Sequence, residues 1–441
     1  MASREEVEEI LSGAVGMWQE GASFRRRRKR CRDYTFGRQW NDTIRVGDHI
    51  MTERNYIMSE GCTPFTNNLI RRIVRNVLGV FHKRLSEIEP PESELLREAE
   101  EENRLKELYA RTMEEFLVSG VAIHRKWLGI NNGKPGIRTA MVSPDTFFFN
   151  NDARDVRGWD RHTRGQIHEV SMREWCTEFV RTREEYERMQ AIFEDGRPKR
   201  RVVEVWRHER RPRLRVHDPE RGVVRIMEDD GRINCRRANV SWFLDDVWRY
   251  YFIDSDGILL REGDSPYLHG SHPFIFKAYP YLDGEIHSFV GDIIDQQRYT
   301  NRLITLYDWV IRASAKGVLL IPNESVPKGK LDETIKSWSR CNGVITYNAS
   351  ASIPPPQQVV GNISGLGVSD LLGIQLKMLE DISGVNATLQ GNLAAKSTSG
   401  TLYTQQTENA MTSLTDLMES FSAFMRDCRR MDEMLVKQLV I

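Results

Sequence analysis

Residues 401–441 contain neither proline nor glycine, and apolar side chains recur through them at Met411, Leu414, Leu417, Met418, Phe421, Phe424, Met425, Met431, Leu435, Val436 and Leu439. This spacing draws one apolar stripe along an amphipathic helix. At 1.5 Å of rise per residue the segment predicts a rod roughly 60 Å long, far beyond the usual three or four turns. Such a rod needs a large partner surface, supplied by the rest of the chain or by neighbouring copies. The stretch before it, residues 384–400, is polar and punctuated by Gly384, Gly391 and Gly400. It reads as a loop, with Ser399 or Thr401 as the N-cap of the rod.

A length of 441 residues allows two or three domains, and 40% apolar with 29% charged residues fits a soluble folded chain. No apolar run approaches the ~18 residues that span a bilayer. The N-terminus is acidic and lacks the apolar centre of a signal peptide, which implies the cytoplasm. Cys31, Cys62, Cys176, Cys235, Cys341 and Cys428 are scattered without metal-ligand or redox spacing and read as reduced thiols. Basic and acidic side chains number 63 each. That neutrality argues against a protein that grips DNA across a broad face, and is compatible with one that touches nucleic acid lightly.

Residues 5–34 follow a helical period through Val7, Ile10, Leu11, Val15 and Trp18, and carry the run Arg25-Arg-Arg-Arg-Lys-Arg30. The plain reading of that run is a solvated or salt-bridged face; the sharper ones are phosphate contact or a nuclear signal. Residues 67–86 and about 91–120 are also helical in pattern. From Val121 the period shortens to that of strands, at 121–127, 136–142, 146–149, 202–208, 223–227 and 248–253, with a helix expected over 171–194. Residues 284–316 predict a helix roughly 50 Å long. Its middle, Gln296-Gln-Arg-Tyr-Thr-Asn-Arg302, is polar nearly all round. A single globular core should reject such a belt, whereas copies packed around a wet channel should accept it. Strands at 317–322 and 342–347 flank a short helix at 331–340, and another helix is expected at 367–383.

Catalytic signatures are wanting. Gly391-Asn-Leu-Ala-Ala-Lys-Ser397 has Ala395 where a phosphate loop needs glycine before the lysine. Gly263-Asp-Ser265 reads as a turn. His124, His162, His168 and His208 lack metal-ligand spacing, so structural roles are expected and no metal or cofactor is implied. Asp245 and Asp246 are the carboxylates on which an alternative, a nucleic-acid-processing enzyme, would rest. A generic oligomeric scaffold is a further alternative.

Three passages in the second half resemble tailed-bacteriophage portal proteins, the head-to-tail connectors, of the podovirus type. The first runs from Gly284 through Asp295-Gln-Gln-Arg298 and Asn301 to Lys316-Gly-Val-Leu-Leu-Ile-Pro322, and is similar to the descending stem helix and the start of the clip. The second, Asp381-Ile-Ser-Gly-Val-Asn386 leading to Ser399-Gly400, resembles the tunnel loop. The third, Thr401-Leu402 and Gln405-Gln406 onward, resembles the spine helix. Tyr34 through Trp40 and Val142-Ser-Pro-Asp145 add to the likeness.

The resemblance implies an α+β, mainly helical fold with long stem and spine helices, an α/β wing module and a small α/β clip. It divides the chain into a helical part of the wing (1–120), the α+β wing module (121–280), the stem helix (281–316), the clip (317–366), the returning stem helix (367–383), the tunnel loop (384–400) and the spine helix (401–441). The family continues past its spine helix into more wing and a crown, whereas this sequence stops at Ile441. The implied function is non-enzymatic. A ring, typically a dodecamer, would sit at one vertex of the virion capsid after assembly in the host cytoplasm. It would conduct double-stranded DNA during packaging and ejection and would meet terminase, a tail adaptor, and the major capsid and scaffolding proteins. Asn392, Lys396, Ser397, Thr398 and Ser399 are expected to face the duplex. Arg298, Arg302, Arg312 and Lys316 are expected either to line the bore or to pair with a neighbouring subunit's carboxylates. Lys328, Lys330, Lys336 and Arg340 are expected at the clip's docking face.

Overall fold

The computed structural model describes residues 3–131, 133–155, 157–158, 160–194, 196–218, 223–229, 240–316, 318–320, 330, 332, 335, 357–359, 367–385 and 412–440. In chain order the helices are α1 (Arg4–Glu20), α2 (Ala22–Thr35), α3 (Glu53–Ser59), α4 (Leu69–Glu87), α5 (Glu94–Glu102), α6 (Leu105–Ser119), α7 (Met172–Phe179), α8 (Arg183–Phe193), α9 (Phe289–Lys316), α10 (Val368–Ser383) and α11 (Thr415–Val440). The strands are β1 (Thr43–Val46), β2 (His49–Thr52), β3 (Val121–Asn131), β4 (Lys134–Met141), β5 (Phe147–Phe149), β6 (Thr163–Ser171), β7 (Lys199–Asp218), β8 (Val223–Glu228), β9 (Val240–Asp254), β10 (Leu259–Asp264), β11 (Phe274–Ala278), β12 (Tyr281–Leu282), β13 (Glu285–Ile286), β14 (Val318–Leu320) and β15 (Gln357–Val359). Helices and strands are thus mixed in an α+β chain.

Contacts gather into two units, each discontinuous in sequence. The first comprises Met1–Phe36, Ile70–Ile294 and Ser383–Ile441; the second comprises Gly37–Leu69 and Asp295–Ile382. Residues 37–69 group with residues 295–382 rather than with their sequence neighbours.

In the first unit an antiparallel sheet has the order β10-β9-β7-β6-β5, with β8 also on β7. Its spine is β7 against β9, in register from Val202 opposite Asp254 to Val216 opposite Val240. The apolar face of α1 (Val7, Ile10, Ala14) packs on Phe148, Val203, Val205, Tyr251 and Ile253 of that sheet. Helices α7 and α8 cover Val170 and Val202 with Trp175, Phe179 and Met189. Both begin with capping boxes, Ser171 with Glu174 and Thr182 with Glu185, which is why one expected helix over 171–194 is two. A second sheet, β11-β3-β4, lies under α11 and α6.

Other expectations change likewise. The first helix is interrupted at Gly21 and the third at Arg104, which is left-handed at φ 48°. Gly263 and Asp264 end strand β10 rather than making a turn. Strand β14 pairs with β15 at 357–359, a strand that no period revealed; the one expected at 342–347 lies outside the described residues. The terminal helix α11 starts at Thr415, after a turn at 413–414, so the described rod is roughly 39 Å long. Residues 401–411, including the expected cap Thr401, lie outside the described residues, as does Ser399.

The apolar stripe of α11 is spent within the chain. Phe421 makes an edge contact with Phe81 of α4 at 5.1 Å between centroids and a tilted one with Phe116 of α6 at 5.5 Å. Phe424 meets the His124 ring at 4.9 Å. Gly120 makes the close turn from α6 into β3, at φ 79°; a Cβ there would lie 1.7 Å from the carbonyl oxygen of His287.

Candidate assembly surface

The polar belt of α9 is where sequence and structure disagree most usefully. Gln297, Thr300 and Asn301 are buried, within their own chain. Gln297 and Asn301 face residues 63–68, which belong to no helix or strand. The amide of Leu69 donates to Gln297 Oε1 (2.9 Å), and Gln297 Nε2 donates to the Asn67 carbonyl (2.6 Å). The Asn67 amide donates to Asn301 Oδ1 (3.1 Å), the Phe65 amide to Thr305 Oγ1 (3.1 Å), and Asn301 Nδ2 to Gln39 Oε1 (2.5 Å). Buried backbone groups must find partners, and amide side chains supply both donor and acceptor. The belt is therefore satisfied without neighbouring copies, and the expectation that only a wet channel could accommodate it is corrected.

On the adjoining face of α9, Arg298 Nε donates to Glu53 Oε2 (3.1 Å) and Arg302 pairs with Glu53 Oε1. Glu53 itself is buried. Two guanidinium groups on one carboxylate leave one positive charge in excess. Beside them lies a groove of about 370 Å³, lined by Ile44, Tyr56, Ile57, Cys62, Leu306 and Trp309, with Glu53, Glu60 and Arg302 among its polar walls. Trp309 is 50% exposed, and Tyr299, Leu306 and Ile311 of the same helix are also exposed. Helix α10, in the same unit, exposes Leu371, Ile374, Met378 and Ile382 at helical spacing, with Ile374 at 49%. Isolated exposed apolar residues are ordinary, but rows of them on two helices mark an interaction surface. The hairpin over 43–52 and helix α3 were not among the expected elements, so Glu53, Tyr56 and Ile57 were not expected as site residues; the Gly47-Asp48 link between Val46 and His49 is the hairpin signal that could have found them.

The other expected site residues distribute as follows. Arg312 and Lys316 fall in the last two turns of α9, with their side chains outside the described set. Lys330 is exposed. Lys328, Lys336 and Arg340, together with Asn392, Lys396, Ser397, Thr398 and Ser399, lie outside the described residues.

The alternatives based on chemistry fare poorly. Asp246 Oδ1 accepts from Arg210 Nε (2.9 Å) and Asp245 lies 3.4 Å from Arg213, so both are occupied as cross-strand pairs. Cys428 Sγ lies 3.6 Å from His124 Nδ1, and His124 Nε2 is 2.8 Å from Thr112 Oγ1. This pair is not an activated nucleophile. Burial, helped by the Lys126 charge, holds His124 down to about 3, and burial pushes the Cys428 thiol up to about 12. Among the described residues no group of three potential ligands could hold a metal, and no helix is long and apolar enough to cross a membrane. Cys31, Cys62, Cys176 and Cys428 are free thiols.

No curated protein matches the chain. Residues 92–439, well over half of it, match the family model of the phage P22-like portal protein. The three passages that resembled portals all lie inside that span, and the chain accordingly belongs to the P22-like phage portal protein family.

Proposed function

We propose that copies of this chain close into a ring, a dodecamer as is typical of portals, at one vertex of the capsid. The ring serves as the conduit for double-stranded DNA in packaging and ejection. The observation that carries this reading is the pairing of two unlike apolar surfaces in the second unit, the α9 groove and the exposed stripe of α10. Two different complementary patches on one subunit make a head-to-tail interface, and a head-to-tail interface whose rotation closes gives a ring. The α10 stripe of one copy fits the need of the groove beside Leu306 and Trp309 in the next.

Asn392, Lys396, Ser397, Thr398 and Ser399 are proposed to face the duplex from the tunnel loop, making contacts that are blind to sequence. Arg312 and Lys316 are proposed for the bore. Arg298 and Arg302 contribute to it only the one charge that Glu53 leaves over. Sparse charge suits passage: duplex DNA carries about one charge per 1.7 Å, and a strongly basic wall would trap it. The clip residues Lys328, Lys330, Lys336 and Arg340 are proposed to meet terminase and the tail adaptor, while the first unit meets the major capsid and scaffolding proteins. Assembly would take place in the host cytoplasm. Electron microscopy of the purified chain tests the reading: a symmetric ring with an axial hole wide enough for duplex DNA is expected. A monomer at every concentration overturns it.

A further inference from the structure

Sixty-three basic and sixty-three acidic side chains cancel, but they are not evenly mixed over the surface. The outward stripe of α4 reads Arg72, Arg75, Gly79, His82, Lys83 and Ser86; all are exposed and none is acidic. Helix α2 turns Lys29 and Arg32 outward on the same side as Phe36, one and two turns along. The two stripes join where the Arg71 guanidinium sits 4.8 Å over the Phe36 ring. Behind them, α6 takes up the inner arginines. Glu115 holds Arg28 (2.7 and 2.9 Å) and Glu114 holds Arg71. Among the described residues, no carboxylate lies within ion-pair distance of Lys29, Arg32, Arg72, Arg75 or Lys83, whereas exposed Arg4, Arg111 and Arg183 each pair with a glutamate one turn away.

We infer that this basic rail on α2 and α4 binds the phosphate backbone of double-stranded DNA, through residues other than those proposed for the tunnel loop and bore. The stripe on α4 extends roughly 17 Å from Arg72 to Lys83, the span of several backbone phosphates. Arginine outnumbers lysine along it, and its planar fork suits phosphate. Nothing lies within 4 Å of where a Gly79 Cβ would be, so a backbone can approach the helix closely at mid-stripe. No large apolar side chain of α4 is exposed; Phe36 at the end of α2 is the one exposed aromatic among the rail residues named, too little for the apolar centre a protein partner would need. The inference does not depend on ring closure.

The test uses the full chain and two unrelated 30-base-pair duplexes, with binding read by fluorescence anisotropy between 50 and 200 mM salt. Wild type should bind both sequences alike, with a log–log salt slope near −4 for about four phosphates. The R32E/R72E/R75E/K83E variant, with circular dichroism and particle images unchanged, should bind at least ~10-fold more weakly at low salt, with a slope close to zero. R32K/R72K/R75K, which keeps the charge, should stay within about threefold. Undiminished binding by the charge-reversed chain overturns the inference, and so does loss of all binding in Lys396→Ala, which would make the tunnel loop the sole contact. Vesicles of 30% phosphatidylserine and polyglutamate are the controls. If either binds wild type as tightly as DNA and is lost in the same variant, the rail is a general polyanion surface and the assignment to DNA fails. A missing ring in images of wild type would count against the proposed function and leave this result unaffected.

Discussion

Lys126 and Asp432, 306 positions apart in sequence, bring Nζ and Oδ2 to 2.5 Å inside the first unit, where neither side chain reaches a tenth exposed. The pair ties β3 to the terminal helix α11. Burial pushes the Asp432 carboxyl up, against the opposing pull of the Lys126 charge. A buried pair of this kind costs little to replace whole and much to break. Asp432→Asn should therefore destabilise the chain by about 3–5 kcal/mol in denaturant unfolding, while Lys126→Met combined with Asp432→Leu should recover most of the loss. Equal damage from the single and double variants would show that the pair is not what anchors α11.

Acid should destabilise the chain through Glu204. It is fully buried between β6 and β9, where Arg125 (3.2 Å), His168 (2.7 Å) and the Trp206 indole N–H (2.8 Å) converge on it. Burial alone would raise its pKa; the Arg125 charge and the hydrogen bonds overcome this and hold it at about 2, against 4.5 when exposed. The folded state thus binds its proton less readily than the unfolded one. The stability this contributes is present above about pH 4.5 and is lost as pH falls from there toward 2. Glu204→Gln should lower stability at pH 7 by about 3 kcal/mol and flatten the fall between pH 5 and 3. Thermal unfolding across that range reads both.

Among the described residues, Glu53 is the carboxylate that Arg298 and Arg302 share. Glu53→Gln should cost about 2–3 kcal/mol and speed amide exchange at Phe65, Asn67 and Leu69, whose N–H groups depend on the adjoining face of α9. Exchange unchanged at those amides would mean that Gln297 and Asn301 hold the segment unaided.

A methyl group at Gly120 would strike the His287 carbonyl, and the positive φ adds strain for any side chain. Gly120→Ala should lose about 3 kcal/mol or more and lower the yield of folded chain. A thermal midpoint within a degree of wild type would contradict the close turn.

Trp309→Asp and Ile374→Asp place charge on the two apolar surfaces at side chains that are about half exposed, 50% and 49%. Each should abolish ring formation in sedimentation while leaving the far-ultraviolet spectrum intact. Rings forming normally in both variants would move the interface elsewhere.

Much of this fold was written in local periodicity. The 3.6-residue recurrence at Leu69, Ile73, Val77 and Phe81, or at Leu417, Phe421, Phe424 and Leu435, determines helices and the faces they bury, because an apolar stripe must leave water wherever it finds cover. The strands from Val121 onward follow from the same logic at period two. The order of stem, loop and spine passages sufficed to identify the family. What those patterns could not carry was the partner of each face. The polar run Gln296–Arg302 looked like the lining of a channel, yet only the folded chain brings the unladdered backbone of residues 63–68 against it, and a hydrogen bond is satisfied by whichever group arrives. Likewise, residues 37–69 group with residues 295–382 through contacts far apart in sequence, which no local period carries. Secondary structure depends on neighbours within a few residues and is legible in sequence; satisfaction of buried polar groups depends on residues more than two hundred positions away, and only tertiary structure decides it.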